Sequence, residues 1–164
     1  MSDGPRLGLT TARQAVISVL AGAVICALIL LGFEGAGSFP PVVPWSVPLL
    51  MVALAVGVAV YARLLPKRIH EHRVEPQESV AALAIGKSMI MTGAVLAGAH
   101  VVYVARYLQL FDAPLPSARV VQGAATIVAS LLLAGAGALL ERACVVRDDD
   151  DDDDKPNNGV ASPA

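Results

Sequence analysis

The chain has 164 residues, 55% of them hydrophobic and 16% charged, where a soluble domain carries about 25% charged residues; its mean hydropathy is +0.64. That balance excludes a water-soluble globular domain and offers no basic face for nucleic acid. The net charge of -2 conceals a segregation, because half of the fourteen acids form one run at 148–154 and the rest of the chain is basic.

Four stretches, 15–33, 45–62, 88–105 and 120–140, contain no Asp, Glu, Lys or Arg. A hydrocarbon core about 30 Å deep takes roughly 20 helical residues at 1.5 Å each, so each stretch reads as one crossing. The predicted fold is all-α, an integral membrane bundle of four transmembrane helices at about 14–33, 45–64, 80–106 and 118–142. A short N-terminal segment, 1–13, precedes them, and a disordered acidic tail, 144–164, follows.

Arg6 and Arg13 precede the first crossing as they would a signal peptide. Its apolar run is longer than the usual h-region of about 7–15 residues and no Ala-x-Ala follows, so it reads as a retained helix. Ala15, Ser18, Gly22 and Cys26 make a weak stripe of small residues along it. In the next connection Pro40, Pro41 and Pro44 favour an extended path, and Pro48 is tolerable because it falls in the first turn of the second helix.

The connection at 63–79 is the longest and most charged. Lys67, Arg68 and Arg73 are the candidate docking residues, for a cytoplasmic protein or for anionic headgroups, at about 1 kcal/mol per basic residue near a charged surface. The plainer reading is a solvated loop that only sets topology. His70 and His72 would point about 200° apart on a helix and have no third ligand, so no metal site is read there.

In the third crossing Lys87 lies about 28 Å along the helix from Arg106, far enough to reach the opposite headgroups by snorkelling. His100 shares a stripe with Gly86, Ile90, Gly93 and Ala97, a face that in membranes meets another helix. A neutral imidazole bonded to a neighbouring hydroxyl is the expected state; a proton relay or ligand contact is the alternative. Ahead of the fourth crossing, Ser117 is a plausible N-cap. Gly123, Thr126, Ser130, Ala134, Gly137 and Glu141 then fall within about 60° of one line. The third and fourth helices are therefore expected to form a close antiparallel pair, with Glu141 and Lys87 near one interface and able to pair, in a bundle closed through all four helices.

With the N-terminus inside, ten Lys and Arg fall on the inner side and only Arg106 and Arg119 on the outer, so both termini are expected in the cytoplasm. Trp45, Tyr103, Tyr107 and Phe111 lie near the outer interface, as an aromatic belt should. Cys26 and Cys144 sit at depths too different for a disulfide, which needs Cα atoms within about 7 Å. No phosphate-cradling glycine loop, His-Glu-x-x-His, Gly-x-Ser-x-Gly or intramembrane aspartate pair is present. No cofactor and no enzymatic activity are expected, and the polar candidates inside or beside the membrane are Lys87, His100, Thr126, Ser130 and Glu141.

The segments SVAALAIGKS at 79–88, the glycines Gly93 and Gly98, and LLERACVV at 139–146 resemble a family of small four-helix membrane proteins of actinobacteria, domain-of-unknown-function family 3180. The resemblance covers about residues 10–147 in layout and includes Lys87, Glu141, Arg142 and Cys144. It implies a multi-pass protein of the bacterial plasma membrane, often encoded near folate-synthesis genes, and no established activity. The leading expectation is a structural or interaction subunit in the lipid bilayer that docks a cytoplasmic protein through its basic inner connection. The alternative is a small transporter or channel, built by homo-oligomerisation, with His100, Thr126 and Ser130 along a polar path.

Overall fold

The computed structural model describes residues 9–38, 40, 42, 44–70, 76–108 and 114–153, with side chains for all of these except 66–70, 76, 77, 79, 114–116 and 145–153. Four helices fill it: α1 (Ala12–Gly35), α2 (Ser46–His70), α3 (Pro76–Leu108) and α4 (Pro114–Asp153), with no strand among the described residues. Each is long and apolar enough to cross a membrane, and the chain is a multi-pass membrane protein.

The ends of α1 follow from local chemistry. Thr11 is its N-cap: the Gln14 N–H donates to Thr11 Oγ1 at 3.3 Å and the Thr11 N–H donates back to Gln14 Oε1 at 3.1 Å, a capping box written in the sequence as Thr-x-x-Gln. At the other end Gly37 takes φ 64, the left-handed conformation that ends helices. Its N–H bonds the Glu34 carbonyl at 3.1 Å and the Ser38 N–H bonds that of Phe33 at 3.0 Å, the paired closing bonds of a Schellman motif.

All four helices run past the predicted boundaries, and α2, α3 and α4 each do so by four residues or more at the end of the molecule where α1 starts and α4 ends. Instead of a loop from residue 63, α2 continues past its uncharged stretch and through Pro66 to His70. A proline removes one helical hydrogen bond, but the turn before it is anchored: Leu65, Ala62, Ala82, Leu140 and Cys144 form one buried cluster. The same cluster holds Cys144, beyond which α4 continues to Asp153 in the first part of the expected disordered tail, whose residues 154–164 lie outside the described ones; a helix already nucleated extends at one hydrogen bond per residue. At its other end α4 starts at Pro114, so Ser117 lies within the first helical turn rather than capping it. Proline at the first helical position loses no bond.

The helices pack in the order α1, α3, α4, α2. Among the described residues no Cα of α1 lies within 8 Å of α2 or α4, nor one of α2 within 8 Å of α3. The expected closed bundle is thus an open row, because the two outer contacts use opposite faces of the central pair. Close approach at glycine sets the order. A Cβ added at Gly22 would strike the Val95 carbonyl, and one at Gly98 the Val19 carbonyl, so α1 and α3 touch backbone to backbone. Along α3 and α4, a Cβ on Gly93 would lie 2.6 Å from the Ser130 carbonyl oxygen, and one on Gly137 2.6 Å from that of Gly86. Such approaches gain dispersion and Cα–H···O contacts, the main sources of helix association where lipid is as apolar as leucine. The α2–α4 seam uses larger side chains, Met51 and Ala55 against Ala129, Leu133 and Ala136, with Met89 and Leu96 of α3 behind them.

Replacing Gly93 by Val forces the central seam apart and should lower stability by about 1–3 kcal/mol, the usual cost of overpacking. Gly135→Ala, at a glycine with open space beside it, should leave stability unchanged or raised. Thermal unfolding of both variants in detergent separates the two outcomes.

Candidate functional site

The small-residue face of α4 packs as its spacing predicts. Gly123, Thr126, Ser130, Gly137 and Glu141 are all buried, Thr126 and Ser130 completely. The two hydroxyls are satisfied within their own helix: Thr126 Oγ1 donates to the Gln122 carbonyl at 2.9 Å and Ser130 Oγ to that of Thr126 at 2.7 Å. This back-bonding lets a hydroxyl sit in an apolar seam without a partner across it.

His100 is half-buried beside the same seam. Its partner is a backbone carbonyl and not the expected hydroxyl: Nδ1 is 2.8 Å from the Leu96 carbonyl oxygen. A carbonyl accepts only, so Nδ1 carries a proton and donates it to this bond. The imidazole tilts towards Tyr103, with ring centroids 6.3 Å apart.

At the terminal end Glu141 is 2% exposed. Lys87 is half-buried and forms no ion pair with it. The Glu141 carboxylate is instead held by the segment ahead of α1, where the Thr10 N–H donates to Oε1 at 2.6 Å and the Thr10 hydroxyl to the same oxygen at 3.0 Å. The pair open to Lys87 and Glu141 is not formed; Thr10, just ahead of α1, supplies two donors to the carboxylate instead. A cavity of about 180 Å³ adjoins this clasp, lined by Thr10, Thr11, Ile90, Ala138, Glu141 and Arg142. Nearby, the Tyr61 hydroxyl donates to Glu78 Oε1 at 2.9 Å and ties α2 to the start of α3. Of the candidate docking residues, Lys67 and Arg68 lie on the end of α2, their side chains outside the described residues, and Arg73 lies outside them altogether.

The opposite end holds a cluster that the sequence reading treated as mere connectors and interface markers. Arg106 and Glu34 pair between α3 and α1, Nη2 to Oε1 at 2.7 Å and Nε donating at 2.8 Å. Arg119 of α4 donates from Nη1 to the Pro40 carbonyl and to the Tyr107 hydroxyl, both at 3.0 Å, with its guanidinium 5.1 Å from the Tyr107 ring centroid. Tyr103 packs on Tyr107 with centroids 4.8 Å apart. Beside them is a cavity of about 300 Å³. The signal available in sequence was the presence of arginines on the side that otherwise lacks them.

Among the described residues no three His, Cys, Asp or Glu side chains gather as a metal site. Neither Cys26 nor Cys144 is in a disulfide among the described residues.

A family model described as a protein of unknown function, DUF3180, matches residues 15–148. No curated protein and no solved structure matches the chain.

Glu141→Ala leaves the Thr10 donors without an acceptor and should cost about 1–3 kcal/mol, with faster tryptic cleavage after Arg13 as the strap lifts. Lys87→Ala should leave both stability and cleavage unchanged. Limited proteolysis and thermal unfolding of the two variants test this.

Proposed function

We propose that the chain, which belongs to the DUF3180 family, is a non-catalytic subunit of the bacterial plasma membrane that docks a cytoplasmic protein at the end carrying its termini. One observation carries this reading: at that end α2 runs on through the charged residues after Ala62 to His70, α3 starts at Pro76 ahead of Glu78, and α4 runs on from Glu141 to Asp153. Eight helical residues past Ala62 rise about 12 Å and thirteen past Leu140 about 20 Å. Lys67, Arg68 and residues 148–153 of the acidic run lie on these extensions, where a soluble protein would meet charges of both signs. The excess of Lys and Arg at this end supports its cytoplasmic placement. Inside the spans, hydroxyls and imidazole bond their own helices, which favours a packing role over a conducting path.

In a mild-detergent pull-down from native membranes, the intact chain should recover one stoichiometric cytoplasmic protein. Neutralising Lys67, Arg68 and Arg73 to Gln should reduce that recovery at least tenfold without changing the size of the detergent-solubilised protein. A homogeneous oligomer with no partner in either form overturns the proposal and directs attention to His100. Orientation is tested separately in cells lacking both native cysteines: a maleimide that cannot cross the membrane should label Ser38→Cys and spare Arg147→Cys.

A further inference from the structure

The end remote from the termini contains a positive charge and a buried hydroxyl that the fold leaves without full partners. Glu34 and Arg106 neutralise each other at 2.7 Å. Arg119 has no carboxylate partner among the described residues: it is half-buried, bonded to a backbone carbonyl and a phenol through Nη1 alone, and laid against an aromatic face. Its Nε and Nη2 donors remain unused. The Tyr103 hydroxyl is buried and within reach of the Arg119 guanidinium, but in no hydrogen bond of full geometry. A buried phenol left so is a cost that a ligand acceptor would remove.

We propose that Arg119, Tyr107 and Tyr103, with the cavity beside them, bind the phosphodiester headgroup of an anionic phospholipid. The cavity is about 300 Å³ and is lined by Leu30, Glu34, Pro40, Arg106 and Tyr107, the lower end of the range for small-molecule sites. The charged groups named here sum to one positive charge, which one phosphodiester balances. A guanidinium with two free edges suits the paired oxygens of phosphate better than an ammonium would. Position selects a lipid over a soluble ester. The cluster sits where the spans of α1, α3 and α4 end, at headgroup depth, and the adjacent face of α1 exposes Leu28, Ile29 and Leu31 as a track for acyl chains.

The test uses the full chain in nanodiscs of phosphatidylcholine with or without phosphatidylglycerol, reading retained lipid by native mass spectrometry and melting temperature. The intact protein should retain phosphatidylglycerol at least tenfold over phosphatidylcholine, and Arg119→Gln should abolish the preference. Tyr103→Phe preserves the ring packing and covers the case in which the arginine variant fails to fold. It should melt higher than the parent in phosphatidylcholine, lose that advantage when phosphatidylglycerol is present, and show at least a threefold weaker preference. Arg142→Gln, at the opposite end, should change nothing. Retention equal for the two lipids, an unaltered preference in both site variants, or an equal loss from Arg142→Gln would each overturn the proposal. Stabilisation by millimolar inorganic phosphate without any lipid preference would overturn the lipid assignment and make the ligand a soluble phosphate.

Discussion

Backbone-to-backbone contact along α3 is the constraint from which the arrangement follows. In lipid the burial of apolar side chains does not drive association, so helices that must meet do so where their surfaces are smallest. Gly86 and Gly93 present one face of α3 to α4, and Gly98 presents the other to α1, where Gly22 answers it. A helix with two such faces occupies the interior of the assembly. The helix α4 has its own small-residue face turned inwards and meets α2 with Ala129, Leu133 and Ala136 on another. The order α1, α3, α4, α2 results from these contacts, with the Ser18 hydroxyl of α1 also donating to Met91 Sδ of α3 at 3.0 Å.

Polar groups are distributed accordingly. Inside the row Thr126, Ser130 and His100 close short bonds to their own helix, which removes their cost without creating directionality between helices. Apart from Ser18 with Met91, the interactions described between segments lie at the two ends: Thr10 with Glu141 and Tyr61 with Glu78 at one, Arg106 with Glu34 and Arg119 with Tyr107 and Pro40 at the other. In these bonds Glu141 and Glu78 meet only neutral donors at one end of the row, and Arg119 meets only neutral acceptors and a ring at the other.

Much of this was legible in the residues. Uncharged length fixed the number of helices, and the spacing of Gly123, Thr126, Ser130, Gly137 and Glu141 identified the face of α4 that meets α3, because a helix repeats its surface every 3.6 residues whatever surrounds it. The small-residue stripe of α1 likewise faces α3 through Gly22, and its Ser18 hydroxyl reaches Met91 at 3.0 Å. Boundaries were less legible, since Pro66 stops a helix only if the preceding turn is unsupported, and the burial of Leu65 is a tertiary fact. The partner of Glu141 was hidden for a similar reason: periodicity relates residues within one helix and says nothing about where a short segment such as the one carrying Thr10 will fold back. Arg106 and Arg119, thirteen positions apart on different helices, have no spacing that announces a shared cluster.

The open row bears on how the protein is made. Its first two helices are consecutive in the chain yet do not touch, so a nascent chain that has released α1 and α2 into the bilayer holds two segments with no surface for each other. Each must be a stable lipid-facing helix by itself until α3 and α4 emerge, and the last hairpin to be synthesised is the one that recruits both. That demand accounts for the uninterrupted apolar circumference of α1, in which only Gly22 and Leu30 are buried in the finished protein: it is the helix that waits longest, and it waits in oil.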